Sequence, residues 1–407
     1  MNTLGFMKSN ARWLSAGALL TFLSSFGQTF FISLFAAEIQ TEFRLSHGEW
    51  GAIYSIGTFA SAIVMIWAGG LSDRFRAKSL GPIILVLLAV SCLAMAFNPV
   101  WWGLFLVVFA LRFTGQGMTS HIAIVAMSRW FSAARGRALA IATLGCSGGE
   151  AFLPIIVVLL MGFVDWRLLW MAATLICLAG IPVLLSLLRQ ERTPQSLADT
   201  QQNTGMNLRN WTRNNAIGHW LFWFMVPAML GPSAFNTAFF FHQVHFADIK
   251  GIAHIDLVSL YPVYTIICIL AMIGAGWSLD RWGTPRLIPY MQIPMIIAFL
   301  LFATSQSIEM LTFGLVFLAL NTGFHATLAA AFWSEFYGTA HIGSIKAMAA
   351  AIMVLGSALG PGITGLAIDL GIGLEQQYIF VAGYFAFATA MMVIGIRRAT
   401  PLLSLPA

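Results

Sequence analysis

Residues 69–79 read GGLSDRFRAKS and residues 276–286 read GWSLDRWGTPR, so Gly69, Asp73 and Arg74 are answered by Gly276, Asp280 and Arg281 at an offset of 207. The same offset relates Gly149 to Gly356 and Pro154 to Pro361. At nearly that offset QTFF (Gln28–Phe31) parallels NTAF (Asn236–Phe239). An internal repeat of this kind means that the chain is built from two copies of one structural unit.

The stretches around each copy are apolar. Of 407 residues, 59% are hydrophobic and 9% charged, too little charge to cover a water-soluble domain. A helix that crosses the hydrocarbon core needs about 20 mostly apolar residues. Twelve such segments lie near 13–37, 50–70, 80–98, 101–125, 137–162, 167–188, 219–243, 257–277, 286–304, 309–333, 343–367 and 377–396. Inside lipid each must satisfy its own backbone groups, so all are read as helices. The first follows Lys8 and Arg12 but is too long for a signal-peptide core and lacks a cleavage site, so it counts as a span. The one long polar stretch runs from Arg189 to about His219 and divides the spans six and six. The expected fold is an all-α membrane protein of twelve transmembrane helices, in two pseudo-symmetric six-helix bundles around a central cavity. Its domains are an N-terminal bundle (1–188), a cytoplasmic linker (189–218) and a C-terminal bundle (219–407). Cys92, Cys146, Cys177 and Cys268 fall inside spans without disulfide or zinc spacing and read as small packing residues.

Charge sets the orientation. With both termini in the cytoplasm, seventeen Lys and Arg residues lie inside and three (Arg44, Arg167 and Lys250) outside, with Arg112 left within a span. Glu42, Glu49, Asp165, Asp248, Asp256, Glu309, Asp369 and Glu375 fall in outer loops. The net charge of +6 therefore expresses topology in a cell (inner) membrane, and no nucleic-acid partner is implied. The lipid bilayer is the expected environment, and no obligate protein partner is evident.

The loop Gly69-x-Leu71-Ser72-Asp73-Arg74 resembles the signature loop of the major facilitator superfamily, and Gly276 to Arg286 matches it in the second half. Arg112-Phe-Thr-Gly115-Gln116-Gly117 resembles that superfamily's intramembrane arginine motif. Arg76 departs from the pattern, standing where the loop usually has glycine. Pro154 is displaced from Gly148 and Gly149, so the antiporter glycine-proline motif is only partly matched. The run Arg129-Trp130-Phe131 with RGRALAIATLGCSGG resembles monocarboxylate and oxalate–formate carriers. The resemblance implies a secondary transporter working by alternating access, with a solute site near mid-membrane between parallel halves. It also implies that spans 1, 4, 7 and 10 line the cavity, which would place Gln28, Thr29, Arg112, Gln116, Asn236, Asn321 and His325 there as substrate-binding residues. Gly69, Asp73, Arg74, Gly276, Asp280 and Arg281 would form a conformational latch, each carboxylate holding the positive start of a facing helix; otherwise the loops are tight turns carrying topological charge.

Individual residues sharpen this. Arg112 sits mid-span, where an arginine costs about 2.5–3.5 kcal/mol on insertion scales. It is either half of a structural ion pair or a cavity cation facing an anionic solute. At α-helical spacing, Gln116 and Ser120 extend its face. Glu150 in span 5 is the one mid-membrane carboxylate, with the chemistry of a proton-coupling site, and a pair with Arg112 is open. His325, one turn below Asn321, is a cavity candidate; His121 is read as structural. His242 and His245 with Asp248 have spacing that could bind metal, but their place at a span end favours an interface reading, and no metal is assigned. Gly145 and Gly149, with Gly356 and Gly360, read as small-xxx-small packing pairs.

The function expected is proton-coupled symport of a small organic anion such as a monocarboxylate. The alternative is a proton-driven antiporter exporting lipophilic, drug-like compounds. An enzyme is not expected, since there are no paired intramembrane aspartates and no Ser–His arrangement on one face. A membrane sensor would show a soluble output domain. Neither a cofactor nor ATP is implied, because no phosphate-binding loop is present. From the latch reading, Asp73→Asn is expected to keep solute binding and slow turnover in reconstituted vesicles; wild-type turnover would refute the latch.

Overall fold

The structure, a computed structural model, describes residues 3–131, 134–190 and 204–403. Among the described residues ten single helices are long and apolar enough to cross a bilayer, and Gly5–Gly27 with Thr29–Phe43 forms an eleventh span bent by 45°. The twelfth, span 4, is a continuous rod from Gly103 to Trp130 in which α-helical ends flank a π-helical segment, Arg112–Thr119. Large apolar side chains such as Ile66, Trp67, Phe163 and Leu370 face outward, as lipid contact requires.

Several residues that sequence charge counting places in outer loops turn out to start helices. Ser46 and Glu49 form a reciprocal capping box at the head of span 2 (His47–Ala68), with the Glu49 N–H 3.1 Å from the Ser46 hydroxyl. Asp165 caps span 6 (Trp166–Leu187) by accepting from the Arg167 N–H at 2.8 Å. Ser307 caps span 10 (Ile308–Tyr337). Span 7 ends at Phe241 rather than 243, and a separate helix, Gln243–Ile249, follows.

The chain divides into two compact units. Unit one comprises Met1–Asp199 with Phe240–His245, and unit two Thr200–Phe239 with Phe246–Ala407. Within unit one, Phe241 packs on Tyr54 (4.5 Å between ring centroids) and Trp50 (5.6 Å), and Gln243 donates to the Ser33 hydroxyl at 2.7 Å. His245 lies against His47 at 4.2 Å. In unit two the later part of the polar linker is no free tether. Met206 and Trp211 are buried, Trp211 meets Tyr337 edge-on at 5.5 Å, and Gly205 presses on the Tyr337–Gly338 backbone.

Glycine lets the helices cross closely at matching places in both units. A Cβ on Gly145 of span 5 would lie 1.9 Å from the Ala18 carbonyl of span 1, and one on Gly149 2.1 Å from Ser25 Oγ. In span 11 (Ile342–Asp369), Gly356 meets the Leu230 carbonyl of span 7 and Gly360 the Ala234 carbonyl.

The ends opposite the signature loops are closed by ion pairs of reversed sign. In unit one Arg167 pairs with Glu42 and also donates to the Ala96 and Asn98 carbonyls at 2.7 and 2.9 Å, where span 3 ends. In unit two Lys250 pairs with Glu375 at 2.5 Å and donates to the Ala303 and Ser305 carbonyls at 3.3 and 3.0 Å, where span 9 ends. Glu42 corresponds to Lys250 and Arg167 to Glu375, both at an offset of 208, while the carbonyls correspond at 207. Gly145→Ala is expected to cost about 1–3 kcal/mol by overpacking and to lower the unfolding midpoint in detergent. Gly148→Ala, whose Cβ would meet nothing within 4 Å, should leave it unchanged. Equal midpoints would remove the close-crossing account.

Candidate functional site

Unit one builds its site on a break in span 1. Gln28 is extended (φ −83°, ψ 154°) between a short 3-10 turn, Ser24–Gly27, and the helix resuming at Thr29. The N–H groups of Phe31 and Ile32 both turn to the Gln28 carbonyl, so the Gly27 carbonyl loses its helical donor. Arg112 supplies one: its Nη1 donates to Gly27 O at 3.2 Å and to Thr29 Oγ1 at 3.3 Å. Thr29 shares a 2.5 Å hydrogen bond with the Tyr54 hydroxyl, and the guanidinium lies over the Tyr54 ring, 5.3 Å from its centroid. This approach requires glycine on both sides: a Cβ on Gly27 would lie 2.2 Å from the Leu111 carbonyl, and one on Gly115 2.6 Å from Gly27 Cα.

Arg112 is 3% exposed. Among the described residues no carboxylate pairs with it, and its Nε is buried without an acceptor. Two of the five guanidinium donors are therefore spent on neutral oxygens, while Nε, part of the edge that binds carboxylates in a fork, is left unmatched. Gln28 sits half-buried at the break itself. Gln116 is half-buried in the π segment, where Thr119 Oγ1 donates to the Thr114 carbonyl five residues back at 2.6 Å. The extra residue in that turn displaces Gln116 and Ser120 from the stripe that α-helical spacing gives them.

Glu150 is half-buried on span 5, one residue past the Gly149–Ser25 contact. Arg112 and Glu150 do not form an ion pair among the described residues. Of the latch loops, the Gly69 carbonyl lies 3.2 Å from His121 Nε2 and the Ser72 carbonyl accepts from Arg129 Nη1 at 3.1 Å. The loop is thereby fastened to span 4 by two side chains, and Arg129 was not singled out for this from sequence. Arg74 is exposed, and the Asp73 side chain lies outside the described residues. In the second loop Gly276 is half-buried, Asp280 is exposed, and Arg281 lies over Trp277 and Trp282 at 5.6 and 6.0 Å.

Unit two carries two polar clusters. In the first, Asn236 Nδ2 donates to Thr322 Oγ1 at 3.2 Å, and Thr322 is also 3.2 Å from the Tyr264 hydroxyl. The second begins with Pro232, which has no N–H and leaves the Ala228 carbonyl without its helical donor. Gln292 Nε2 takes that carbonyl at 2.8 Å, and the His325 ring bonds it too. Asn321 is 1% exposed, with Nδ2 bound to Met291 O at 2.7 Å and Gln292 Oε1 at 3.1 Å. Asn321 and His325 therefore belong to a core network tying spans 7, 9 and 10, separate from Asn236. The sequence reading missed Tyr54, Tyr264 and Thr322. The 207 register gave no sign of them, since it pairs Tyr54 with Tyr261 and Arg112 with Ala319.

Comparison with known proteins agrees with this architecture. The family model of the Major Facilitator Superfamily matches residues 17–361. No curated relative matches the sequence. A bacterial homologue of the human lysosomal transporter Spinster, solved inward-facing and unoccupied, superposes with a TM-score of 0.76 at 14% identity, covering 98% of this chain and 99% of that one. A variant of the nucleoside transporter NupG superposes with a TM-score of 0.73 at 16% identity, covering 94% and 99%. Identities this low speak for the fold alone. With two repeated six-span halves, the signature loop in each and a family match over most of its length, the chain belongs to the major facilitator superfamily and is a transporter, not an enzyme.

Proposed function

We propose that this transporter carries a small organic anion, such as a monocarboxylate, by alternating access in symport with a proton. The carrying observation is Arg112: a buried cation in the middle of span 4, held by two neutral oxygens with no carboxylate partner among the described residues. A charge so placed needs a counter-charge, and a solute carboxylate fits the unmatched edge of the guanidinium. Tyr54 and Thr29 hold the arginine from the other side, so it is positioned before the solute arrives.

Glu150 is the proposed proton carrier. It is the mid-span carboxylate of span 5, half-buried one residue past the Gly149–Ser25 crossing and in no ion pair with Arg112 among the described residues, so it is left to take up and release a proton. Gln28 and Gln116 supply neutral hydrogen-bonding groups beside the arginine. The loops at Gly69–Arg74 and Gly276–Arg281 are the proposed latches of the cycle. Both termini are assigned to the cytoplasmic side of the inner membrane on the positive-inside asymmetry. Export of lipophilic compounds by proton antiport is the second reading, favoured by the aromatic wall of Trp50, Tyr54 and Phe241.

The test is uptake of radiolabelled carboxylates into proteoliposomes, with and without an inward proton gradient, with nucleosides as the control suggested by the NupG likeness. Gradient-driven uptake of a carboxylate is expected, and Arg112→Ala should lower its kcat/KM by about 100-fold or more, as removal of a buried charge contact does. Proton-driven movement of a lipophilic dye with no carboxylate uptake would overturn the anion reading. Separately, Glu150→Gln is expected to abolish the response to the proton gradient while solute exchange at equal pH persists. A wild-type gradient response and pH optimum in that variant would remove Glu150 from coupling.

A further inference from the structure

The 207 register extends to the turn that leads into the second span of each unit, and the two copies make that turn with different residues. The Leu45 N–H donates to the Gln40 carbonyl at 3.0 Å, and the N–H of Ile252, 207 residues on, donates to the Ala247 carbonyl at 3.1 Å. Just before each donor the backbone turns left-handed, at φ 56° for Arg44 and φ 64° for Gly251. Glycine suits this conformation, having no Cβ to crowd the following carbonyl. Unit two uses glycine; unit one accepts the strain and places an arginine there.

Arg44 lines a cavity of about 300 Å³ with Phe43, Glu49, Ala52, Trp101 and Phe105. Spans 2 and 4 touch at Gly57, where a Cβ would lie 2.9 Å from Val108 Cγ1, and the cavity lies beyond that contact, at the ends away from the Gly69–Arg74 loop. Trp101 and Trp102 are exposed at the head of span 4, where aromatic rings mark a membrane surface, and Ile56, Phe59 and Leu106 are exposed and apolar further along the same two spans. The cation Arg167, over the Phe43 ring, is already paired with Glu42, whereas Arg44 makes no ion pair among the described residues. Glu49 Oε2 accepts the Ser46 N–H at 2.8 Å, and a carboxylate has room for further donors. Arg44 and Glu49 thus share one cavity without neutralising each other. At the 207 register Trp101 and Phe105 become Ile308 and Thr312, so unit two repeats neither the cation nor the aromatic pair.

We infer that this cavity binds a phosphatidylethanolamine of the bilayer, with Arg44 on the phosphate, Glu49 on the ammonium and the acyl chains along Ile56, Phe59 and Leu106. A cation and a carboxylate held apart at the level of the membrane surface complement a headgroup that carries one charge of each sign. The ammonium brings three N–H donors to Glu49, and choline brings none. Phosphatidylglycerol brings the phosphate's charge near Glu49 with no cation to answer it. All of these residues belong to unit one.

The experiment is native mass spectrometry and thermal unfolding of the full chain in detergent, titrated with dioleoyl phosphatidylethanolamine, phosphatidylcholine or phosphatidylglycerol, for wild type, Arg44→Gly and Glu49→Gln. Glycine suits the backbone at 44 and glutamine keeps the capping box at 49, so both variants are expected to fold. Wild type is expected to bind its first ethanolamine lipid about tenfold or more tighter than the choline or glycerol lipid, with a matching rise in unfolding midpoint. In Arg44→Gly the lipid-free midpoint is unchanged or higher, while all three lipids bind more weakly and the rise is lost. In Glu49→Gln affinity for the choline lipid is kept and the preference for ethanolamine falls to near one. Equal binding of the three lipids by wild type, tightest binding of the glycerol lipid, or an ethanolamine preference unchanged in both variants overturns the inference.

Discussion

The hydrogen bond from Arg112 to the Gly27 carbonyl joins two elements that would each be unfavourable alone. A helix broken inside the apolar layer strands a carbonyl that no water satisfies. An arginine in the middle of a neighbouring helix strands a cation. Placed against one another, each answers part of the other's demand, and the glycines at 27 and 115 are what allow the two backbones to come near enough. The π-helical turn of span 4 belongs to the same arrangement: it begins at Arg112 itself and delivers the guanidinium where the break of span 1 opens. Span 5 then crosses at Gly149, so three helices meet around one interrupted turn.

The second unit answers a freed carbonyl in its first helix with different chemistry. A proline does there what the extended Gln28 does in the first, freeing the Ala228 carbonyl, but neutral side chains from spans 9 and 10 answer it. The network is buried, and within it Asn321 Oδ1 and His325 Nε2 meet no partner among the described residues. Its neighbour at Asn236 is a neutral cluster of an amide, a threonine and a tyrosine. One scaffold thus carries a buried charge in one copy and neutral polar clusters in the other.

Much of this was written in the sequence, because lipid imposes strong rules. Apolar length gave the spans, the repeated loops gave the two halves, and the single arginine inside a span drew attention to Arg112. What escaped depends on geometry that spacing does not carry. The break at Gln28 has no proline to announce it. The π turn shifts the face that α-helical counting assigns to Gln116. Tyr54 and Tyr264 look like ordinary aromatic lining until their hydroxyls are seen bonded to threonines. Asn321 was grouped with Asn236 because both are amides in cavity-lining spans, yet the neighbouring Thr322 is the residue that faces Asn236. A one-position change on a helix turns a side chain by more than a quarter of the circumference, and no pattern in an apolar span reveals which neighbour it meets.

The ion pairs at the helix ends bear on how a duplicated chain sorts its own parts. Two copies of one unit can close within each copy or exchange helices between copies. Had both copies kept the same polarity, exchange would have matched an acid to a base as well as the native arrangement does. With the sign reversed, an exchanged assembly sets Glu42 against Glu375 and Arg167 against Lys250, like charge against like at both ends. The reversal therefore makes each copy a poor partner for its twin, and a newly inserted helix can tell its own half of the chain from the other by charge.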